Sequence, residues 1–169
     1  MKKFLLIVTL FSVICNGCYE LDFDTDFHSG IYEKRYSRIY YTTSDNRPIE
    51  LDTSLENMEV SNTYSNGQGV LVFEDIVTEI ESYTFYYCEN LTSLKIPDSV
   101  TKIGDFAFSG CSSLTSVYCK AITPPTGGYN MFHNNASGRK IYVPTNSVNA
   151  YKSASDWSDY KSYIVGYDF

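Results

Sequence analysis

The sequence predicts an α+β fold of solenoid type. It is a short stack of repeats with a small β-rich cap at its N-terminal end and a short helical cap at its C-terminal end. Three observations carry this. Residues 80–97 (IESYTFYYCENLTSLKIP) slide onto residues 103–120 (IGDFAFSGCSSLTSVYCK) with six identities in eighteen positions. The identities fall mainly on apolar positions, and a fixed period of roughly 20 to 50 residues marks stacked repeats. Each copy also ends in alternating apolar residues, the pattern of a short strand with one buried face.

The chain has 169 residues, 43% of them hydrophobic, which suits one domain with a core of its own. It opens with Lys2 and Lys3 and the 11-residue apolar run 4–14. That run has the length of a signal-peptide core and is too short to span a bilayer. Residues 1–17 therefore read as a removable leader. The remainder has 11 cations against 20 carboxylates, a charge of −9. That balance excludes nucleic acid as a partner, because phosphate binding needs a concentrated positive surface.

Cys15-Asn16-Gly17-Cys18 follows the apolar run at once. It resembles a bacterial lipobox, which implies cleavage after Gly17 and acylation of Cys18. Several acyl chains would hold the protein on a membrane stably, where one chain alone would not. Ordinary secretion with cleavage nearby is the alternative. Glu20, Asp22, Asp24 and Asp26 follow. This acidic stretch resembles the surface-export signal of Bacteroidetes lipoproteins, and it reads equally as a solvated tether over 18–35. The implied location is an outer-membrane lipoprotein exposed at the cell surface, touching the membrane through its lipid anchor only.

Residues 36–69 contain short apolar runs broken by Ser44-Asp45-Asn46 and Ser65-Asn66-Gly67. They read as a β-rich N-terminal module. Residues 70–144 hold the repeats. Ile80, Phe85, Cys88 and Leu91 match Ile103, Phe108, Cys111 and Leu114 at an offset of 23, and these eight are the expected core. Tyr83 and Phe106 are a conservative pair on the same apolar skeleton. Upstream, Leu71-Val72-Phe73 aligns with Leu94-Lys95-Ile96; downstream, Ile141-Tyr142-Val143 lies 24 residues after Val117-Tyr118-Cys119. Residues 121–139, with Pro124-Pro125 and Gly127-Gly128, read as a long loop replacing a regular turn. Over 145–169, Ser147, Val148, Ala150 and Tyr151 suit one or two helical turns, and Trp157, Tyr160 and Ile164 suit burial against the last strand.

The run Ile96-Pro97-Asp98-Ser99-Val100 through Ile103-Gly104-Asp105-Phe106-Ala107-Phe108-Ser109-Gly110-Cys111-Ser112-Ser113-Leu114 resembles the BspA-like leucine-rich repeats of bacterial surface proteins. The tail Ile141-Tyr142-Val143-Pro144 through Tyr151 and Trp157 resembles that family's closing segment. The resemblance covers residues 36–169 and implies a surface interaction module. This chain has about three repeats where family members often have many. One repeat cannot bury its own apolar face, so a stack this short depends on caps.

In strands of this pattern the middle residue points away from the core. The repeat offsets then place Val72, Lys95, Tyr118 and Tyr142 in one row, with Lys140 and Lys120 beside it. Neighbouring strands lie about 4.8 Å apart, so four span about 15 Å. This aromatic and basic patch on an acidic body is the expected binding face.

Other constellations carry less. Cys88, Cys111 and Cys119 read as buried free thiols, small hydrophobes rather than ligands; a Cys88–Cys111 disulfide is the alternative, since stacked repeats bring the pair within range but orient it poorly. Asp22-Phe23-Asp24-Thr25-Asp26 with Glu33 has calcium-loop spacing, but Phe27 stands where the sharp turn needs glycine. His28 and His133 have no nucleophile near them in sequence, and no phosphate loop, metal-binding pair or nucleophile elbow is present. No catalytic residue, metal or cofactor is expected. Asp98-Ser99-Val100 fits an O-glycosylation acceptor pattern and equally a repeat turn. The leading functional reading is a lipid-anchored surface module that binds another protein. A carbohydrate-binding lipoprotein for glycan capture is second, motivated by sixteen tyrosines. A hydrolase, resting only on unplaced carboxylates, is third and disfavoured.

Replacing Cys18 by Ser should abolish incorporation of labelled fatty acid and release the protein from membranes. Unchanged labelling or fractionation would overturn the lipobox reading.

Overall fold

The computed structural model describes residues 36–51 and 60–169. The leader, Cys18, the acidic tether with its calcium-loop spacing and His28 lie outside the described residues, as does part of the N-terminal module. The described residues fall in one compact unit.

Three antiparallel strands come first. β1 (Ser37–Thr43) pairs with β3 (Gln68–Phe73), and β3 pairs with β2 (Val60–Ser65). The β2–β3 connection is the two-residue turn Asn66-Gly67, with φ of 51° and 81°. Asn-Gly favours this turn because both central residues need positive φ, and its twist matches that of the strands it joins. Opposite Gly69, on β1, the Tyr41 ring lies so close that a Cβ would sit 2.0 Å from it. Tyr41 is fully buried and donates its hydroxyl hydrogen to Asn62 Oδ1.

The rest of the chain winds as three stacked sides. On the first side, β5 (Leu91–Ile96), β7 (Ser116–Cys119) and β9 (Lys140–Pro144) run parallel. The pairs Leu94–Val117 and Val117–Ile141 give register offsets of 23 and 24 residues, the intervals at which the sequence repeats. On the second side are the short strands β4 (Glu79–Ile80), β6 (Lys102–Ile103) and β8 (Thr126–Gly127), with the same offsets. On the third side, tight turns bond to one another through the backbone. Phe85 N donates to Ala107 O and Phe108 N to Met131 O, both at 2.8 Å.

Side chains from the three sides meet between them. Ile80, Phe85, Cys88, Leu91, Ile103, Phe108, Cys111 and Leu114 are all buried. Phe85, Phe108 and Phe132 stack with centroids 5.0 and 5.2 Å apart and planes 6° and 10° from parallel. Close approach also demands glycine at two repeat-related positions. A Cβ on Gly104 or on Gly128 would stand 2.4 Å from the backbone of the preceding repeat.

Three sequence expectations need correction. Residues 121–139 are not an irregular loop: they contain β8 and a third copy of the stacked turn, with Met131 and Phe132 buried. One extra residue shifts this copy to an offset of 24, and Pro124-Pro125 disguised it. Second, Leu71-Val72-Phe73 does not lie beside β5. Strand β1 intervenes, so the sheet order is β3-β1-β5, with β1 antiparallel to both neighbours. The position 69/70, read as a boundary, falls inside β3. Third, Tyr83 and Phe106 do not join the apolar interior: Tyr83 is 46% exposed and Phe106 half-buried. Both have positive φ, 64° and 55°, which turns their side chains outward.

The C-terminal segment holds α1 (Val148–Ser153), a 3-10 turn over Ser155–Tyr160 and β10 (Ile164–Tyr167), which pairs parallel with β9. Its side chains hydrogen-bond to backbone groups of the third copy of the repeat. Trp157 Nε1 donates to Pro125 O at 2.8 Å, Asp156 Oδ2 accepts from Gly127 N at 3.2 Å, and Tyr160 Oη accepts from Phe132 N at 3.3 Å. Tyr151, fully buried, donates its hydroxyl to Ala121 O at 2.8 Å.

Phe108→Ala removes the middle ring of the phenylalanine stack and should cost about 3–5 kcal/mol in chemical denaturation. A loss below about 1 kcal/mol would contradict its central place.

Candidate functional site

The outward face of the parallel strands is built by alternation. Leu94, Ile96, Val117, Cys119, Ile141 and Val143 point inward and are buried, so Lys95, Tyr118 and Tyr142 point outward. The register sets Lys95 beside Tyr118 and Tyr118 beside Tyr142. The two tyrosine rings stack at 4.6 Å, 12° from parallel. Lys140 and Lys120 are exposed at opposite ends of this patch.

Val72 is not in the row. Because β1 intervenes, Tyr40 occupies the place beside Lys95, and Val70 follows on β3, while Val72 faces Arg38. Lys95 Nζ lies 5.8 Å from the Tyr40 ring centroid, a cation–π contact. At the other end Val165 of β10 continues the row. Tyr167 sets its ring edge-on to both Tyr118 and Tyr142, at 5.4 and 5.6 Å, and Phe169 packs on Tyr167 at 5.1 Å. The row therefore reads Tyr40, Lys95, Tyr118, Tyr142, Val165, with an aromatic lid from the C-terminus. Burial among these rings, and then the neighbouring phenols of Tyr142 and Tyr167, push the Tyr118 pKa up.

Sequence reasoning missed Tyr40 and Tyr167. Ile39-Tyr40-Tyr41 carried a strand signal, but nothing local says that β1 enters the sheet between β3 and β5. Ile164 is expected to pack against the last strand, but four residues with no clear alternation, Ile164-Val165-Gly166-Tyr167, do not show that the segment itself adds a strand to the sheet.

Elsewhere, Arg139 is 5% exposed, and among the described residues no carboxylate forms an ion pair with it. Its guanidinium lies over Tyr163, Tyr160 and Phe132 at 4.6, 5.5 and 5.7 Å, and Nη1 donates to Phe132 O and Asn135 Oδ1. Desolvation lowers its pKa. The arrangement ties β9 to the last repeat's turn. His133 lies exposed beside it. Among the described residues, no group of three or more His, Cys, Asp or Glu is placed to hold a metal ion, and no helix is long and apolar enough to cross a membrane.

Cys88, Cys111 and Cys119 are buried free thiols. Cys111 Sγ donates to Phe85 O at 3.0 Å, Cys88 Sγ contacts Glu50 O at 3.4 Å, and Cys119 Sγ lies 3.2 Å from Tyr151 Oη. Burial pushes all three upward, Cys88 from 9.0 to about 11. A nucleophilic cysteine needs a lowered pKa, so these thiols are packing residues.

Two measurements follow. At about pH 8, mass mapping should find these three cysteines unmodified by iodoacetamide in the folded protein and modified after denaturation. Between pH 9.0 and about 11 the unfolded chain releases the Cys88 proton while the folded chain keeps it. The Cys88 contribution to stability is therefore intact below that window and falls through it. Replacing Cys88 by Ala should flatten that fall in alkaline denaturation.

The family model for the BspA type leucine rich repeat region matches residues 59–155, in six copies. No curated protein matches the chain. Repeats of this type are generally non-enzymatic and commonly mediate protein binding. The match spans more than half of the sequence, and the chain belongs to the BspA-type leucine-rich-repeat family.

Proposed function

We infer that the protein is a lipid-anchored, surface-exposed interaction module that binds another protein through the outward face of its parallel strands. In this reading the repeats form a short solenoid, residues 36–69 and 145–169 cap it, and Cys18 carries the anchor. The observation that carries the reading is the stacked Tyr118–Tyr142 pair, flanked by Lys95, Lys120 and Lys140 on an acidic chain. Aromatic anchors with a cationic rim suit an acidic protein surface. The patch is small, about 19 Å across five strands, so the partner is held by a few residues rather than by a wide interface.

Glycan capture is supported less well by the same geometry. Tyr118 and Tyr142 turn their faces to each other and Tyr167 covers them edgewise. A sugar needs an open ring face to lie on.

The test is an unbiased binding screen with the fragment beginning near Leu21, repeated with Tyr118→Ser/Tyr142→Ser. The pair is worth about 0.5–1.5 kcal/mol of stacking, so the variant should stay folded with a slightly lower melting temperature. It should lose at least about tenfold in affinity for the captured protein. Unchanged affinity in the folded variant would move the site off this face.

A further inference from the structure

On the third side of the stack lies a second aromatic surface that the strand-face reading does not use. Tyr83, Tyr86, Tyr87 and Tyr129 are 46%, 44%, 56% and 69% exposed. The Tyr83 ring stacks on half-buried Phe106 at 5.4 Å and 13°. Tyr129 meets Phe106 edge-on at 5.5 Å. Tyr86 stands edge-on to Tyr83 at 5.4 Å and to Tyr87 at 4.5 Å. The Tyr87 ring lies over Gly110, where a Cβ would be 3.0 Å from the ring carbons.

The backbone under this cluster is strained in a periodic way. Each stacked turn places its first and last residues at positive φ: Tyr83 and Tyr87, then Phe106 and Gly110, then Asn130 and Asn134. Glycine and asparagine adopt this conformation readily, whereas a bulky aromatic residue there is an outlier. Three of the six positions hold aromatics although the other three show what the backbone prefers. Strain retained at the surface, with the side chain left half in water, points to a use for that side chain.

The charge beside the cluster is mainly negative. Glu81, Glu89 and Asp105 are exposed beside Tyr83, Tyr87 and Phe106 in the chain. The nearby cation, Lys102, is ion-paired with Glu79 and also interacts with Glu81 and Asp105, so one lysine stands against several carboxylates and the excess is negative. Ring faces and carboxylates together favour a cation that carries its own flat surface, the arginine guanidinium. We propose that this turn face docks an arginine-bearing basic segment of a partner protein, with Tyr83, Tyr86 and Tyr87 taking the guanidinium groups and the carboxylates holding their charge. This is a second surface, opposite in charge to the lysine-flanked strand face.

The test measures binding of an octa-arginine peptide to the soluble protein at about 0.15 M salt, where surface charges a Debye length apart are largely screened. Tyr83→Asn/Tyr87→Asn keeps every carboxylate and installs the residue found at positions 130 and 134. Its melting temperature should stay within about 3 °C of the parent, because relief of backbone strain offsets the lost ring contacts. Its affinity for the peptide should fall about tenfold. Tyr86→Ser, which leaves the strained positions untouched, should show the same loss. Failure of the parent to bind, or equal affinity in these variants, would overturn the proposal, the latter leaving only general attraction to an acidic chain. Preferential binding of maltoheptaose would also overturn it and assign the face to a neutral glycan. Loss in Tyr118→Ser/Tyr142→Ser with retention in Tyr83→Asn/Tyr87→Asn would place the peptide on the strand face instead.

Discussion

Three phenylalanine rings, Phe85, Phe108 and Phe132, stack 5.0 and 5.2 Å apart along the middle of the molecule. That is close to the spacing between hydrogen-bonded strands, about 4.8 Å. The match is a constraint on everything else. Each turn of the chain must rise by one strand spacing on all three sides at once. The parallel strands, the two-residue strands and the tight turns can keep their hydrogen bonds only if one repeat covers the last at that distance. Gly104 and Gly128 are consequences, since a methyl group there would push successive turns apart.

A stack with this constraint has a problem at each end, where a layer of backbone groups has no successor. At the C-terminal end side chains answer it: Trp157, Asp156 and Tyr160 reach the backbone of the last turn, and β10 pairs with β9. At the other end strand β1 closes the row of parallel strands by pairing antiparallel with β5. Hydroxyl groups mark the seam, with Thr42 Oγ1 and Thr92 Oγ1 2.7 Å apart. Burying backbone groups without partners is costly, and these contacts give the groups at both ends partners.

The same rise that orders the core orders the surface. Because each position recurs at the strand spacing, outward aromatics come out stacked rather than scattered, on the strand face at Tyr118–Tyr142 and on the turn face at Tyr83–Phe106. The two faces differ in the charge around the rings, lysines on one and carboxylates on the other. A family whose repeats commonly mediate protein binding thus presents, in this chain, two aromatic surfaces that differ in charge.

Sequence alone determined what depends on periodicity. The 23-residue interval, the eight inward residues of the two clearest repeats and the outward direction of Lys95, Tyr118 and Tyr142 follow from alternation within a strand, which is local. The Asn66-Gly67 turn was legible for the same reason. What needed the tertiary structure was every decision made between segments distant in the chain. The entry of β1 between β3 and β5 displaced Val72 from the row and put Tyr40 there. The pairing of β10 with β9 brought Tyr167 over the face. The third repeat hid behind one inserted residue and two prolines, because the stack tolerates a longer turn wherever its ends keep register. Tyr83 and Phe106 read as core because they are apolar or aromatic at a repeating position. A positive φ reversed them, and hydrophobic periodicity carries no record of the backbone conformation that turns a side chain outward.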